Sequence, residues 1–193
     1  MKKTYKFDEK KAQKAVKLLL EAFGEDLDRE GVKRTPERVA EFYKEALSGN
    51  EIDPLKIVKA HYETEDHEEI VLVKDIPFYS LCEHHLLPFF GKAHIAYIPN
   101  KDKIVGVSKL IRLVEVFANR LQLQERLTKQ IADTVMKAAS PQGVMVVLEA
   151  EHLCMTMRGV KKPGSQMVTS AMRGAFMNDV RTRSEAMSLL KNS

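Results

Sequence analysis

The sequence predicts an α+β fold, in which an antiparallel four-stranded sheet carries a pair of helices on one face. Two patterns lead to this prediction. Apolar residues recur at helical spacing in several segments, whereas four other segments read as strands with a period of two. These segments follow the order helix, helix, strand, strand, helix, helix, strand, strand, helix. Two hairpins that flank a pair of helices indicate one layer of helices packed on an antiparallel sheet.

Two amphipathic helices are predicted before the sheet. The first covers residues 8–23, and Gly24 ends its apolar pattern. The second begins with Thr35 as N-cap and with Pro36 at the first helical position, where proline is favoured. A Ser-Gly-Asn sequence stops this second helix.

The predicted sheet consists of two pairs of strands, with two helices between the pairs. The first two strands are predicted within residues 70–76 and 92–99. Ser108 is placed to cap the next helix, and the helix after it covers residues 124–139. A Pro-Gln-Gly sequence ends that helix.

The second pair of strands is predicted over residues 144–153 and 166–173. Asn178 is then placed to cap a final helix that reaches Leu190. An open sheet of four strands has two exposed edges, and proteins cover such edges or pair them with other copies. We therefore expect this chain to form an oligomer.

Length and composition indicate one domain with an N-terminal appendage. At 193 residues and 44% hydrophobic content, the chain can bury a sizeable core. The acidic segment over residues 63–69 is predicted to be a loop. We therefore divide the chain into an N-terminal helical segment, residues 1–60, and a domain that holds the sheet and the last helix, residues 61–193.

The balance of charges and the lack of a signal peptide indicate which partners the protein does not have. The 31 basic and 27 acidic residues leave a net charge of +4, which is too even to indicate nucleic-acid binding. The absence of Trp and an aromatic content of 7% argue against a surface that stacks on bases. No apolar run has membrane-spanning length, and no apolar signal core follows the basic N-terminus. We predict a cytoplasmic protein with no nucleic-acid or membrane partner.

The two cysteines of the chain both lie beside histidines, in Cys82-Glu83-His84-His85 and Glu151-His152-Leu153-Cys154. Zinc held by three Cys and His ligands keeps a fourth position open, which is typical of a catalytic site. A structural zinc site needs four ligands, usually in two closely spaced pairs. His152 and Cys154 are two apart in a predicted strand, so we expect both on one face. The adjacent His84 and His85 are expected to diverge, one towards a metal and one towards substrate.

Two plainer interpretations of the cysteines remain. They could form a disulfide, or they could be two unrelated buried thiols. The absence of a signal peptide predicts a reducing compartment, which disfavours a disulfide. Two isolated cysteines that are both flanked by histidine favour a metal site instead.

Four sequence blocks carry a resemblance to type I GTP cyclohydrolase. They are Cys82-Glu83-His84-His85-Leu86, Gly106-Val107-Ser108-Lys109-Leu110, Gln122-Leu123-Gln124-Glu125-Arg126-Leu127-Thr128 and Glu151-His152-Leu153-Cys154. Shorter matches at Arg158-Gly159-Val160 and Thr169-Ser170 extend them. The blocks occur in the family's order. The match extends over nearly the whole chain, from the helix start Thr35-Pro36-Glu37-Arg38-Val39-Ala40 to the last helix.

The resemblance implies a fold, a reaction and an assembly. The family has the tunnelling fold, ββααββ, and the sheets of several subunits close into a barrel within a toroidal decamer. Its active sites lie at subunit junctions. The implied reaction converts GTP and water to 7,8-dihydroneopterin triphosphate and formate, the first step of tetrahydrofolate and pterin biosynthesis. Zn²⁺ is the implied cofactor, and residues 61–193 would be the catalytic domain.

The resemblance also implies roles for individual residues. The zinc ligands would be Cys82, His85 and Cys154, the acid–base residues would be His84 and His152, and Ser108 would contact the substrate near the reacting ring or ribose. Gln124 and Glu125 would hold the guanine, and Arg38, Lys109, Arg112 and Arg158 would grip the triphosphate.

Other interpretations stay open at the level of sequence. A nitrile reductase of the queuosine pathway has the same architecture, and a non-enzymatic binding module could use zinc for stability alone. Single residues also have structural explanations. Arg112 could pair with Glu115 along one helix, and Arg38 could pair with Glu41 or Glu45. Capping alone could explain Ser108, and a solvated helix face could explain Glu125.

Overall fold

A five-stranded mixed sheet forms the centre of the computed structural model, which describes residues 5–58, 61–63, 67–100 and 103–191. The helices are α1 (Glu9–Ala22), α2 (Thr35–Ala46), α3 (Pro54–Val58), α4 (Val107–Ala118), α5 (Gln124–Ala139), α6 (Leu153–Thr156), α7 (Ala175–Asn178) and α8 (Val180–Lys191), with a 3₁₀ turn at Ser48–Glu51. The strands are β1 (His61–Glu63), β2 (Val71–Cys82), β3 (Pro88–Ile98), β4 (Lys103–Val105), β5 (Leu121–Gln122), β6 (Gly143–His152) and β7 (Gln166–Gly174).

The strand order in the sheet is β5-β2-β3-β6-β7. Its four long strands are antiparallel, but β5 pairs in parallel with the end of β2, with Leu121 opposite Leu81 and Gln122 opposite Cys82. The prediction of four antiparallel strands is therefore wrong in the number of strands and in their purely antiparallel pairing. A two-residue strand between two helices is too short to show a period, so the sequence pattern does not reveal it.

A separate pair of short strands, β1 and β4, was also absent from the prediction. Residue 60, at the predicted domain boundary, and residues 64–66, within the predicted acidic loop, lie outside the described residues.

The first two long strands extend further than their sequence pattern indicates. β2 continues without interruption to Cys82, and β3 already begins at Pro88. Pro77 lacks an N–H and obscures the strand pattern, and a bulge at Asp75 shifts the register between Val73 and Ile76. As a result, the turn that carries the two histidines is short and stands directly at the end of the sheet.

The helix pair α4 and α5 covers one face of the sheet, as predicted. Their apolar sides pack with residues such as Ile95 and Leu148 in the main core, and Val58 of α3 joins this core. The opposite face carries a smaller core, in which Phe176 of α7 and Ala186 of α8 pack. Residues on the two faces alternate along β3 and β6, as the pleat of a strand requires.

Three predicted helix caps are wrong by one or two positions. Arg34 is the N-cap of α2, and Thr35 is already helical. Gly106 is the N-cap of α4, because the chain leaves β4 and enters the helix before Ser108. The last helix is capped by Asp179, whose carboxylate accepts the backbone N–H of Arg181 at 2.8 Å. Helix ends depend on the local path of the chain, which residue type alone does not set.

The α1 and α5 predictions are confirmed. Asp8 caps α1 by accepting the backbone N–H of Lys11 at 3.0 Å, and α5 has its predicted bounds. Among the described helices, none has both the length and the apolar character needed to cross a bilayer.

Candidate active site

Cys82, His85 and Cys154 come together at one end of the sheet. Cys82 is the last residue of β2, His85 lies in the turn before β3, and Cys154 lies in α6 directly after β6. Their potential ligand atoms all lie within 4.8 Å of one another. Antiparallel pairing of β3 with β2 and β6 brings these ends together, although Cys82 and Cys154 are far apart in sequence.

Cys154 reaches this group in a way that the sequence pattern did not predict. β6 ends at His152, and Cys154 lies in the short helix α6. The prediction that His152 and Cys154 share one face of a strand is therefore wrong. The turn into α6 re-aims Cys154 towards Cys82, whereas the His152 ring stacks on Phe89 with a centroid distance of 4.5 Å.

The metal-ligand turn, residues 82–87, is closed by its own backbone. The N–H of Cys82 donates to the carbonyl of Leu87, and the N–H of Leu86 donates to the carbonyl of Cys82, both at 2.9 Å. Leu86 takes a positive φ of 56°, which an L-residue adopts only under local constraint. The rings of His84 and His85 lie 6.2 Å apart at 86° to each other, so they diverge as expected.

The donor set of the group fits zinc. Two thiols and one imidazole are ligands that zinc favours, and three protein ligands leave one position for water or substrate. Burial and the nearby Cys82 raise the pKa of the Cys154 thiol, and Arg158 acts in the opposite direction. A bound cation would favour both thiolates, because metal coordination stabilises the deprotonated sulfur.

Arg158 lies directly beside the group. Its Nη1 lies 3.1 Å from His85 Nε2, and because a guanidinium has no acceptor, the arginine is the donor. This arginine is therefore the one predicted triphosphate-binding residue that contacts a metal ligand in the described part of the chain.

Gln124 holds His152 in place. Its amide nitrogen donates to the carbonyls of Leu148 and Met167 and to the hydroxyl of Thr169, at 2.9 to 3.1 Å. Two of these partners only accept, so the orientation of the carboxamide is determined. Its Oε1 therefore accepts from His152 Nε2 at 2.8 Å. The Gln124 side chain is 1% exposed, and its amide hydrogens are used inside the chain.

His152 is a buried, neutral imidazole with one accessible nitrogen. Burial lowers its pKa below the usual histidine range, and Glu125 partly opposes this shift. Among described residues that are not exposed, His94 Nε2 and Gln122 Oε1 are the fully buried side-chain atoms that lack a partner. His152 Nδ1 is not one of them, and no hydrogen bond joins it to another described residue.

Glu125 lies beside an open groove. Whereas Gln124 is buried, Glu125 is exposed in the first turn of α5. It lines a groove of about 480 Å³ along β7 together with Lys129, Thr169 and Ser170.

The remaining predicted residues lie on other elements. Arg38 is exposed on α2, and Ser108, Lys109 and Arg112 occupy the first two turns of α4. In the described part of the chain, these four side chains form no ion pair and no hydrogen bond. The pairs that would have explained Arg38 and Arg112 structurally are therefore absent there, and both cations are available to a ligand.

Two residues near the site were missed in the sequence. Glu83 and Arg126 form a bidentate ion pair, and Arg126 holds the pKa of the Glu83 carboxyl below its usual value. They are 43 residues apart, so no local period links them. Their position within two of the motif blocks was the one available signal.

Comparison with known proteins assigns the chain to a family. The family model described as GTP cyclohydrolase I matches residues 12–191. The chain is 62% identical over 183 residues to a protein of Carboxydothermus hydrogenoformans named GTP cyclohydrolase 1, covering 95% of each chain. It is also 62% identical over 185 residues to a protein of that name from Pelotomaculum thermopropionicum, covering 96% of this chain and 98% of the relative.

A solved structure, the archaeosine synthase QueF-Like in its apo form, is 17% identical with a TM-score of 0.43, over 54% of this chain and 93% of that one. A similarity this weak supports no conclusion about the site. The family match and the two relatives, in contrast, extend over nearly the whole chain, and they show that the chain belongs to the GTP cyclohydrolase I family.

Proposed function

We propose that this chain is a zinc-dependent GTP cyclohydrolase I. It opens the imidazole ring of GTP by hydrolysis at C8, releases formate, rearranges the ribose and closes a new ring to give 7,8-dihydroneopterin triphosphate. The group of Cys82, His85 and Cys154 supports this function most directly. In a member of this family, it supplies a three-ligand metal site beside a buried histidine.

The zinc would be held by Cys82, His85 and Cys154. When bound, zinc supplies Lewis acidity, which lowers the pKa of a coordinated water from about 15.7 to about 7. The purine C8 resists attack by neutral water, so the reaction needs a stronger nucleophile at working pH. The Lewis acidity of zinc would meet that need.

His84 and His152 would move the protons. Opening of the ring requires a proton at the purine N7, and histidine can donate and accept protons near neutral pH. Because Gln124 Oε1 accepts from His152 Nε2, the neutral ring carries its hydrogen on Nε2. Nδ1 is then the nitrogen that exchanges a proton with the substrate. His84 is exposed in the metal-ligand turn and would be the second acid–base residue.

Glu125 would read the guanine. The exocyclic amine and the ring N–H of guanine are adjacent donors, and one carboxylate accepts both. Adenine lacks this pair of donors, so a desolvated Glu125 would be left unpaired by ATP, at a large cost in binding. Gln124 would support the same pocket through its hold on His152. Ser108 is exposed without a partner in the described residues, and it would contact the reacting ring or ribose.

Arg38, Lys109, Arg112 and Arg158 would bind the triphosphate through charge-assisted hydrogen bonds. The first three share no hydrogen bond or ion pair with the metal group in the described chain. We infer that the sites lie at subunit junctions, where one copy presents the zinc ligands and a neighbour presents phosphate-binding residues. We propose a toroidal decamer in which neighbouring sheets close into a barrel. Within the described residues, β7 is an unpaired edge that such closure would use.

The test is to incubate the purified protein with GTP, with and without a zinc chelator, while formate and the pterin chromophore are measured. Both products should appear, disappear on chelation and return when zinc is added. If the zinc-loaded, assembled protein yields neither product, the proposed reaction is wrong.

The two other functions are less well supported. A nitrile reductase needs a nucleophilic cysteine and a nicotinamide cofactor, whereas both cysteines here lie in one potential metal group. A binding module predicts a four-ligand site, and the group found in the described residues has three members. The relatives above 55% identity that bear the name GTP cyclohydrolase 1 favour neither.

A further inference from the structure

The Glu83–Arg126 ion pair joins the metal-ligand turn to helix α5. Both Glu83 oxygens accept from the guanidinium, and the bond from Nη2 to Oε1 is 2.8 Å long. The Glu83 side chain is 30% exposed and that of Arg126 is 41% exposed. Two parallel bonds of this kind determine the relative orientation of the two groups as well as their separation.

No other hydrogen bond links the turn to α5 in the described part of the chain. The turn is closed by bonds between Cys82, Leu86 and Leu87, and the N–H of Glu83 donates to the carbonyl of Gln122 in β5 at 3.1 Å. These bonds hold the turn to itself and to the sheet edge. Among the described hydrogen bonds, those of the Glu83 side chain are the ones that join the turn to the helix.

The first turn of α5 is held from two sides. Successive helical residues point about 100° apart. Gln124 is bonded to β6, β7 and His152, and Arg126 is bonded to the metal-ligand turn. Glu125 lies between them and is the one of the three that faces the open groove. The position of Glu125 relative to the metal ligands therefore depends on both neighbours.

We propose that Glu83 and Arg126 are positioning residues that hold the metal-ligand turn in register with Glu125. The pair keeps Cys82 and His85 at a set distance from the carboxylate that would read the guanine. The substrate part of this inference rests on the proposed function, whereas the part that concerns metal binding does not.

Two other roles for the pair make different predictions. An ordinary surface ion pair contributes little to stability, and its loss would leave metal binding and the kinetics unchanged. A general base at Glu83 would instead predict a loss of kcat with zinc affinity unchanged, because a base takes no part in holding the metal ligands.

A double-mutant cycle tests the proposal. Glu83→Gln, Arg126→Gln and the double variant are compared with the parent, in the full-length assembled protein. Zinc affinity is measured by competition with a chromogenic chelator, and KM and kcat are measured with GTP. Each single variant should bind zinc about tenfold more weakly and lose about ten- to 100-fold in kcat/KM, mostly through a raised KM. The double variant should be no worse than the worse single variant, because both changes remove the same contact.

Arg126→Lys separates geometry from charge. Lysine keeps the positive charge but cannot form the two parallel bonds. This variant should therefore resemble Arg126→Gln. Zinc affinity and KM at the parent's values in Arg126→Lys would overturn the proposal, as would additive losses in the double variant.

Lys44→Gln is the matched control. It removes another long-range ion pair, between Lys44 and Glu9 at 2.9 Å, which joins α1 and α2 away from the turn. Zinc affinity and KM should not change in this variant. If the parent protein itself makes no product from GTP, the proposed function fails. The zinc competition then still decides whether the pair positions the metal ligands, because unchanged affinity in both single variants would overturn that role.

Discussion

At His152, two neighbours and burial decide what the imidazole can do. Phe89 stacks on its ring, Gln124 accepts from Nε2, and burial lowers its pKa. The result is an imidazole whose pKa is lowered and whose Nδ1 has no hydrogen-bond partner among the described residues. None of these properties belongs to histidine as a residue type, because each depends on a partner brought in from another element.

Replacement of His152 tests its chemical role. In His152→Ala, turnover of GTP should fall by about 100-fold or more, the range expected on loss of a general acid or base. Zinc content should stay at the parent's level, because His152 is outside the metal group. Turnover and zinc content are measured on the same sample, so that loss of catalysis is distinguished from loss of metal. His67→Ala, a change in a partly exposed loop histidine, is the control and should remain active. Undiminished turnover in His152→Ala would contradict the mechanism.

Cys154→Ser tests the ligand assignment. A serine hydroxyl is a poor substitute for a thiolate ligand, so we expect loss of bound zinc and of turnover. Folding should persist, because Cys154 is only partly buried in a four-residue helix. Metal analysis and circular dichroism are the measurements. Full zinc occupancy in this variant would exclude Cys154 as a ligand.

His94 makes stability depend on pH. The residue is 6% exposed, its Nδ1 accepts the N–H of Asp75 at 3.1 Å, and its Nε2 has no partner in the described residues. Burial lowers its pKa from 6.5. The unfolded chain therefore binds a proton that the folded chain does not, and stability falls as the pH drops below about 6.5.

Urea unfolding at pH 7.5 and pH 5.5 measures this effect. His94→Gln should be less stable than the parent at pH 7.5 but should lose less stability between the two pH values. An equal loss in both proteins would show that His94 does not titrate in this way.

At the scale of elements, close strand pairing places the site residues opposite one another. β3 pairs with β6 along its whole length, which sets Phe89 opposite His152 and Gly91 opposite Ala150. The approach at Gly91 leaves no space for a side chain. A Cβ there would lie 1.9 Å from the carbonyl oxygen of Glu149, so the two strands would have to separate.

Gly91→Ala should therefore destabilise the protein by about 3 kcal/mol or more, because backbone atoms cannot relax as a flexible side chain can. Turnover should fall as well, since the Phe89–His152 pair lies two pairs further along the same strands. Chemical denaturation measures the stability change. Gly31→Ala is the control, because its nearest neighbour would be Arg29 Nη1 at 3.6 Å, and we expect a change within about 1 kcal/mol. Similar stabilities for the two variants would contradict the close approach at Gly91.

At the scale of the whole molecule, the proposed site draws on side chains from several elements, and no hydrogen bond or ion pair in the described chain joins Arg38 or Arg112 to the metal group. The metal group and His152 lie at one end of the sheet, and Arg38 and Arg112 lie on α2 and α4 without a partner there. This arrangement and the unpaired edge of β7 in the described residues support the shared active sites that we propose.

Mixed oligomers test whether sites are shared. His152→Ala and Arg112→Ala should each be nearly inactive alone. When the two chains are co-expressed and mix at random, about a quarter of the junctions would combine an intact His152 with a neighbour's intact Arg112. Activity should therefore partly recover. No recovery in mixed oligomers, verified by native mass spectrometry, would place each active site within one chain.

The sequence by itself determined the number and order of the long strands, the bounds of α5 and the three candidate metal ligands. Each of these depends on residues that are close together in sequence, either as a repeating apolar period or as a short block such as Cys82-Glu83-His84-His85. Only the tertiary structure decided the parallel strand β5, the turn into α6 that re-aims Cys154, the contact of Gln124 with His152 and the pair of Glu83 with Arg126. These features join residues of different elements. A contact between segments that are distant in sequence produces no repeating pattern in either segment, so the sequence does not reveal it.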